Sequence, residues 1–246
     1  MNLLVDLGNS RIKWAHSGPQ HWETGAETIP DEGFSALLER LWGKTAAPER
    51  VVVSTVHGPQ RERLLHDWLM RRWECEPLFI RAQPQQLGVT NRYREPASLG
   101  ADRWAALIAA RQSSTAAQCV VDCGTAVTID ALSAEGEFLG GVILAGLQMM
   151  RASLLADTHG IRIGKGADDT CLALSTGDGV AAGSLFGLAG AIERVVAEQR
   201  RVLGTEARVL LTGGDAPRLL PLMSWPVTHV PDLVLQGLKC IAEARA

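Results

Sequence analysis

The sequence predicts an α/β protein built from two related halves, and two observations lead to this fold class. Short apolar strand segments alternate with segments of helical periodicity along the chain, which is the pattern of α/β proteins. The segment Val5–Ser10 (VDLGNS) also resembles Val121–Ala126 (VDCGTA): each is an apolar strand that ends in Asp, followed by one residue, Gly and a small hydrogen-bonding residue. Two copies of one supersecondary unit predict a duplicated domain pair with a cleft between the halves.

The elements of the first half follow from apolar spacing and turn residues. Leu3–Asp6 is an apolar run stopped by Gly8-Asn9, and Arg11–His16 continues as a second strand, which predicts a hairpin. Residues 84–98 contain two prolines and little periodicity, and we expect a loop there. The other predicted elements are helices over Asp31–Trp42, Pro59–Trp73 and Gly100–Arg111 and a strand over Val51–Val56.

The second half repeats this plan after a small, polar linker at Ser113–Gln118. We therefore expect domains at residues 1–115 and 116–246, with the last helix, about 233–244, packing back on the first domain. Cys119 and Cys123 point the same way in one strand and are expected in the core. The predicted strands are Cys119–Asp122, Ala126–Leu132, Glu137–Ile143 and Val209–Thr212, and the predicted helices are Leu147–Asp157, Val180–Arg201 and Leu233–Ala244.

Composition narrows the class of protein. The 246 residues are 46% hydrophobic and 21% charged, which is typical of a globular protein and too apolar for disorder. The net charge of −3 argues against binding dominated by nucleic-acid phosphates. The longest uncharged apolar stretch, Phe138–Met150, is shorter than the roughly 20 residues of a membrane span. Together with five cysteines, an odd number, this predicts a cytoplasmic protein with neither a membrane nor a nucleic-acid partner.

The two Asp-Gly turns predict phosphate chemistry. Glycine after a strand-end Asp lets backbone N–H groups approach a phosphate closely. The carboxylates of Asp6 and Asp122 can hold a cation that bridges to phosphate oxygens, and Lys13 adds a positive charge. The alternative is a pair of tight hairpin turns in which Asp and Asn are merely turn formers.

Asp102 is the candidate general base, because it lies beside Arg103 in the segment Gly100–Arg103 at a helix start. We expect the helix N-terminus to keep it ionised, and so a modest base. The alternative is an ordinary first-turn Asp. Thr212–Asp215 follows a strand and suits an adenosine ring lying against the backbone, and Tyr93, the only tyrosine, lies in the irregular loop.

In their order along the chain, these motifs resemble the type III pantothenate kinases, which belong to the superfamily of actin, hexokinase and acetate kinase. The resemblance covers nearly the whole chain, and the order and spacing of the motifs make it specific. The matching segments are Asp6–Lys13, Gly100–Arg103, Asp122–Ala126, Gly140–Gly146, Ser175-Thr176, Thr212–Asp215 and Pro231–Leu238.

The resemblance implies two actin-like (ribonuclease H-like) domains with a nucleotide cleft between them. It implies ATP-dependent phosphorylation of pantothenate to 4′-phosphopantothenate, the first step toward coenzyme A, with Mg²⁺ and a monovalent cation (K⁺ or NH₄⁺), by a homodimer. Asp102 would be the proton acceptor and Asp122 the monovalent-cation ligand. The implied ATP-binding residues are Asp6, Leu7, Gly8, Asn9, Ser10, Arg11, Ile12, Lys13 and Thr125, and the implied pantothenate-binding residues are Tyr93, Gly100, Ala101, Asp102, Arg103 and Thr176.

Two positions depart from the family pattern, and neither departure removes a functional side-chain group. Ala145 stands where the family usually has Pro, and Ser10 stands where Thr is commoner, which keeps the hydroxyl. The small-residue stretch Gly183–Ala191 suits close helix packing in the implied homodimer.

Three alternatives stay open at the level of sequence. Another small-molecule kinase of the superfamily would keep both Asp-Gly turns and change the loop around Tyr93. A non-catalytic regulatory protein would not need Asp6, Asp102 and Asp122 together. A nucleotide hydrolase would turn over ATP without pantothenate.

Overall fold

The computed structural model describes residues 1–156 and 170–244, and the chain divides into two compact units. The first comprises Met1–Ser114 with Leu233–Ala246, and the second Thr115–Asp232. The strands are β1 (Asn2–Leu7), β2 (Arg11–Gly18), β3 (His21–Thr28), β4 (Arg50–Thr55), β5 (Leu78–Phe79), β6 (Gln85–Gln86), β7 (Val89–Asn91), β8 (Gln118–Cys123), β9 (Ala126–Leu132), β10 (Glu137–Ala145), β11 (Arg208–Thr212) and β12 (Thr228–His229). The helices are α1 (Phe34–Trp42), α2 (Pro59–Trp73), α3 (Ala101–Ser113), α4 (Leu147–Ala156), α5 (Thr176–Leu203), α6 (Ala216–Leu219) and α7 (Leu233–Glu243).

The sheets of the two units repeat one topology. In the first unit the strand order is β3-β2-β1-β4-β5, with β1 antiparallel to β2 and parallel to β4. In the second unit the order β12-β11-β8-β9-β10 is the same arrangement, with β8 antiparallel to β9 and parallel to β11. The duplication predicted from the two Asp-Gly turns is therefore confirmed, since each turn joins two antiparallel strands at the same place in its unit, β1 and β2 in the first and β8 and β9 in the second.

The first unit is built around buried β1 and β4. Helices α1 and α2 cover one face, where Trp42 is fully buried and packs edge-on against Trp14 and at an angle against Trp68. Helix α7, from the C-terminal end of the chain, packs on α3 and β1 of this unit. A Cβ at Gly237 would collide with the Ala105 carbonyl, so α7 and α3 meet backbone to backbone. That contact fixes the helix that carries Asp102.

The second unit is built around β8, β9 and the long helix α5. Cys119 and Cys123 are both fully buried in its core, as the strand spacing predicted. Among the described residues, α5 is the one helix long and apolar enough to cross a bilayer by length and composition, but half of its most apolar window is buried. Because α5 packs on β8, β9 and α4, it has the environment of a core helix.

One sequence expectation needs correction, and strand β3 was missed. The segment 84–98 is not simply a loop: β6 and β7 form a hairpin, and Pro96–Ser98 form a 3₁₀ turn. The third strand, β3, was not predicted, because its side chains are mostly exposed and show no apolar alternation; it forms by pairing along the whole length of β2. Helix α4 is observed to Ala156, and the predicted last residue, Asp157, lies outside the described residues.

Candidate active site

The first Asp-Gly turn joins β1 to β2. Asp6 is 8% exposed, and its direct neighbours are Lys13 on β2 and Ser54 on β4. The Gly8 N–H donates to the Arg11 carbonyl at 3.0 Å and closes the turn. Cross-strand partners share a sheet face, so the Lys13 ammonium and the Asp6 carboxylate lie on the same side of the sheet.

The same turn is braced by the end of β4. The Val56 N–H donates to the Leu7 carbonyl at 3.3 Å, and His57 Nε2 lies 3.1 Å from the Asn9 carbonyl oxygen. Since a carbonyl oxygen only accepts, this contact requires the proton on Nε2. The Ile29 N–H donates to the Ser10 carbonyl at 3.0 Å. The predicted ATP-binding residues 6–13 therefore form a braced turn whose backbone is fixed from two sides.

Asp102 lies in the first turn of α3, as predicted. Its Oδ1 accepts the Arg103 N–H at 2.8 Å, and the side chain folds back over Gly100. A Cβ at Gly100 would lie 2.6 Å from that same oxygen, so any other residue would push the carboxylate out of this position. The position of the Asp102 carboxylate thus explains why this motif begins with a glycine.

The helix N-terminus does not decide the pKa of Asp102, contrary to the expectation from sequence. Burial raises the pKa of the Asp102 carboxyl, and this effect outweighs the Arg103 N–H, the Arg103 guanidinium and the Lys13 charge, which all lower the pKa. Asp102 is therefore a stronger base than an ordinary aspartate. The charge of Lys13 also reaches it, which places Asp102 within range of the Asp6–Lys13 turn in the first unit.

Arg103 and Tyr93 form a fixed pair. Arg103 is 6% exposed, its Nη1 donates to the Tyr93 hydroxyl at 3.0 Å, and its guanidinium lies 5.6 Å from the centre of the Tyr93 ring. The structure therefore brings together three predicted pantothenate-binding positions, Tyr93, Asp102 and Arg103. Sequence reasoning missed Asn91, which holds the Tyr93 backbone; the signal was an Asn two residues before that tyrosine.

The second Asp-Gly turn, between β8 and β9, is packed closely against two glycines from other segments. Gly213 has a φ of +97°, and a Cβ there would lie 2.5 Å from Asp122 Oδ1 and would also collide with the Cys123 carbonyl. The Gly146 N–H donates to the Thr125 carbonyl at 3.0 Å, and a Cβ at Gly146 would lie 2.5 Å from that same oxygen. Three separate segments thus meet at the end of β8.

This second cluster is rich in oxygen atoms. Asp122 is half-buried and supplies a carboxylate, and the carbonyls of Cys123, Gly124 and Thr125 line the same turn. In residues 1–156 and 170–244, no group of three His, Cys, Asp or Glu side chains is arranged to hold a metal ion. Two of these carbonyls also accept backbone N–H groups, Cys123 from Asp215 and Thr125 from Gly146, each at 3.0 Å. A carboxylate and carbonyl oxygens are hard donors, of the kind that bind cations such as Mg²⁺ and Ca²⁺ rather than soft metals.

Thr176 begins α5 in the second unit and is exposed. The preceding residue, Ser175, is the N-cap: its hydroxyl oxygen accepts the Asp178 N–H at 3.1 Å, and the hydroxyl donates to the Asp178 carboxylate at 2.7 Å. The helix start that presents Thr176 is thus rigidly capped. Thr125 belongs to the second unit, in the same turn as Asp122. Tyr93 and Asp102 belong to the first unit.

Comparison with known proteins identifies the family. The model of the family described as type III pantothenate kinase matches residues 2–198. The chain belongs to the type III pantothenate kinase family. A type III pantothenate kinase from Nitrosococcus oceani is 41% identical, covering 99% of this chain and 94% of its own. Another from Nitrosospira multiformis is 40% identical, covering 98% and 90%. As a member, the protein is a kinase, a phosphotransferase with an alcohol acceptor.

Solved structures agree with the actin-like fold shared by sugar kinases. A Campylobacter jejuni protein described as a Baf family transcriptional activator superposes with a TM-score of 0.63 at 22% identity, over 99% of this chain and 98% of its own. A glucokinase from an Antarctic psychrotroph superposes with a TM-score of 0.50 at 12% identity, over 99% and 98%. At these identities the likeness concerns the fold alone, and it confirms the predicted fold class.

Proposed function

We propose that this pantothenate kinase transfers the γ-phosphoryl group of ATP to the hydroxyl of pantothenate, producing ADP and 4′-phosphopantothenate, with Asp102 as the proton acceptor. The observation that carries this assignment is the buried carboxylate of raised pKa beside the Arg103–Tyr93 pair. A base is most effective when its pKa lies near the working pH, so burial of Asp102 favours the role.

The first unit supplies the groups that act on the phosphates and the hydroxyl. The turn over Asp6–Lys13 is assigned to the ATP phosphates, with Lys13 as the positive charge beside them. The substrate oxygen forms a bond to the γ-phosphorus as the bond from that phosphorus to ADP breaks, and the hydroxyl proton passes to Asp102. Little early deprotonation is needed, so orientation of the hydroxyl by Asp102 matters as much as its basicity.

Arg103 and Tyr93 recognise the other end of pantothenate. The substrate carries a carboxylate remote from its reacting hydroxyl, and a buried guanidinium is the group best suited to hold a carboxylate. Tyr93 keeps that guanidinium in one orientation through its hydroxyl and ring face. The other predicted pantothenate-binding positions, Gly100 and Ala101 beside Asp102 and Thr176 at the start of α5, are assigned to the same substrate.

Thr125 would bind ATP, Asp122 would hold a monovalent cation, K⁺ or NH₄⁺, and the nucleotide would be used with Mg²⁺. The fit rests on the oxygen-rich turn at the end of β8, where only glycine at Gly213 leaves space beside the Asp122 carboxylate. A bound monovalent cation supplies positive charge that offsets the negative charge of the carboxylate and the phosphates. Mg²⁺ usually binds through one or two carboxylates together with waters and phosphate oxygens, so we assign it to the phosphates of ATP.

A homodimer is supported by the exposed side of α5. Gly183, Gly187 and Gly190 lie along one exposed stripe, and a Cβ added at any of them meets nothing within 4 Å. Such a stripe allows another helix to approach closely. Sedimentation should give a dimer of the 26.4 kDa chain at micromolar concentration, and Gly187→Arg should shift it toward monomer. A stable wild-type monomer would contradict the dimer. We place the enzyme in the cytoplasm, where its substrate ATP is available.

A coupled ADP-release assay in K⁺ buffer, with and without pantothenate, tests the function. We expect ADP formation that requires pantothenate, with 4′-phosphopantothenate identified by mass spectrometry. Equal ADP release without pantothenate would point to a hydrolase. ADP release that responds to another alcohol but not to pantothenate would point to a different small-molecule kinase.

A further inference from the structure

We infer that Asn91 is a positioning residue that fixes Tyr93, and through it Arg103, for pantothenate binding. The inference rests on the proposed function, because it concerns the substrate side of that same site. Asn91 is the last residue of β7 and is 6% exposed, although it lies in a segment rich in polar residues. A buried amide needs partners for both its oxygen and its nitrogen.

Asn91 has those partners on both sides of Tyr93. Its Oδ1 accepts the Tyr93 N–H at 3.0 Å, and its Nδ2 donates to the Pro96 carbonyl at 3.1 Å. Its own backbone N–H donates to the Pro84 carbonyl at 2.9 Å. One buried residue thus joins the beginning, middle and end of the segment 84–98.

The contact between Arg103 and Tyr93 depends on the position of each residue. Arg103 is carried by α3, whose position is set by its packing on α7. Tyr93 lies in an irregular stretch between β7 and the 3₁₀ turn, where no regular hydrogen-bond ladder fixes the backbone. The Asn91 amide holds the Tyr93 backbone instead, through the Tyr93 N–H. The Tyr93 hydroxyl is thereby kept within hydrogen-bond distance of the Arg103 guanidinium.

Only an amide of this length provides both contacts. Alanine leaves the Tyr93 N–H and the Pro96 carbonyl without these partners, and an ionised aspartate keeps the acceptor but places a second oxygen against the Pro96 carbonyl. Loss of a buried hydrogen bond changes an equilibrium by about tenfold. We therefore expect the damage to fall on pantothenate binding, because ATP contacts other elements.

The chain offers a matched control in the same hairpin. Gln112 of α3 donates from Nε2 to the Leu87 carbonyl at 2.8 Å and also ties the hairpin to α3, but at its turn rather than at Tyr93. Leu87 has a φ of +48° and Gly88 one of +79°, as two-residue hairpin turns require, and the Gln112 amide lies at this turn on the surface. Gln112→Ala therefore reports general loosening of the hairpin.

The first test compares the Michaelis constants for the two substrates. Asn91→Ala should raise KM for pantothenate about tenfold, which corresponds to about 1.4 kcal/mol, and change KM for ATP less than about twofold. Asn91→Asp should raise KM for pantothenate less than Asn91→Ala, because it keeps the acceptor for Tyr93. Gln112→Ala removes an exposed contact and should change both constants by less than about twofold. Equal changes in both constants for Asn91→Ala would overturn the inference.

The second test is a double-mutant cycle with Tyr93, measured on the intact enzyme with melting temperatures as a check of folding. If Asn91 acts through Tyr93, the pair Asn91→Ala and Tyr93→Ala should raise KM for pantothenate no more than Tyr93→Ala alone. Additive effects would overturn the inference while leaving the kinase assignment intact. A wild-type enzyme without pantothenate-dependent turnover would instead overturn the proposed function.

Discussion

Replacing Asp102 by Asn separates the chemistry of this carboxylate from its structural role. Asparagine has the same shape, and its Oδ1 can still accept the Arg103 N–H that Asp102 accepts at 2.8 Å. The side chain also still fits over Gly100. What disappears is the proton acceptor and a buried negative charge, so the variant should fold and should bind both substrates.

The expected loss of activity is large. A positioned general base contributes about 10² to 10⁴ in rate, so kcat of Asp102→Asn should fall by that factor, which corresponds to about 3 to 5 kcal/mol of activation free energy. In the wild type, kcat/KM should decline on acidification with an apparent pKa above the ordinary value of about 3.9, because burial raises the pKa of Asp102.

The free energy of unfolding of Asp102→Asn should rise at neutral pH, although its activity falls. Because the folded pKa of Asp102 is raised, the native state binds more protons than the unfolded state between the two pKa values. The stabilising contribution of the neutral form is complete below the unfolded pKa and is lost as pH rises through the folded pKa. Asp102→Asn should therefore be more stable than the wild type at pH 7, with an advantage that shrinks as pH falls toward about 4.

The assay combines coupled ADP release with thermal melting across a pH series. Glu62→Gln is the matched control, since Glu62 is also a first-turn acid, in α2, and pairs with Arg81 at 2.8 Å on the surface. It should leave kcat unchanged. If Asp102→Asn kept more than about half of the wild-type kcat, another group would be the base. A variant less stable than the wild type at neutral pH would refute the burial argument.

Further predictions concern the other parts of the site. Arg103→Ala should raise KM for pantothenate about tenfold or more and KM for ATP less, and equal effects would argue against carboxylate recognition by Arg103. Gly213→Ala should cost about 2 kcal/mol or more in denaturant unfolding, because of its φ of +97° and the collision of a Cβ with the Cys123 carbonyl. Gly58→Ala, at an N-cap with open space around its Cβ, should cost about 1 kcal/mol or less, and equal costs would contradict the steric argument. Activity should be higher in K⁺ or NH₄⁺ than in Na⁺ at equal ionic strength, and Asp122→Ala should lose both activity and this response; full turnover in Na⁺ alone would mean that Asp122 binds no monovalent cation.

Local sequence signals predicted much of this fold because they act over short distances. The hairpin of β1 and β2 follows from an apolar run, a Gly-Asn turn and a second run, and the same signals recur around Gly124. Helices α1, α2 and α3 follow from apolar spacing, and Asp102 was placed correctly at a helix start. These features depend on residues within about one or two turns of one another.

The sequence by itself determined the α/β class, the duplication, the order of the motifs and the identity of the candidate carboxylates. Only the tertiary structure decided the raised pKa of Asp102, the burial of Asn91 and the pairing of the exposed strand β3 with β2. It also decided why Gly213 and Gly237 are glycines, since each faces a backbone far away in sequence. The physical reason is the same in each case: desolvation and close approach depend on atoms that the fold brings together, and no local pattern specifies those atoms.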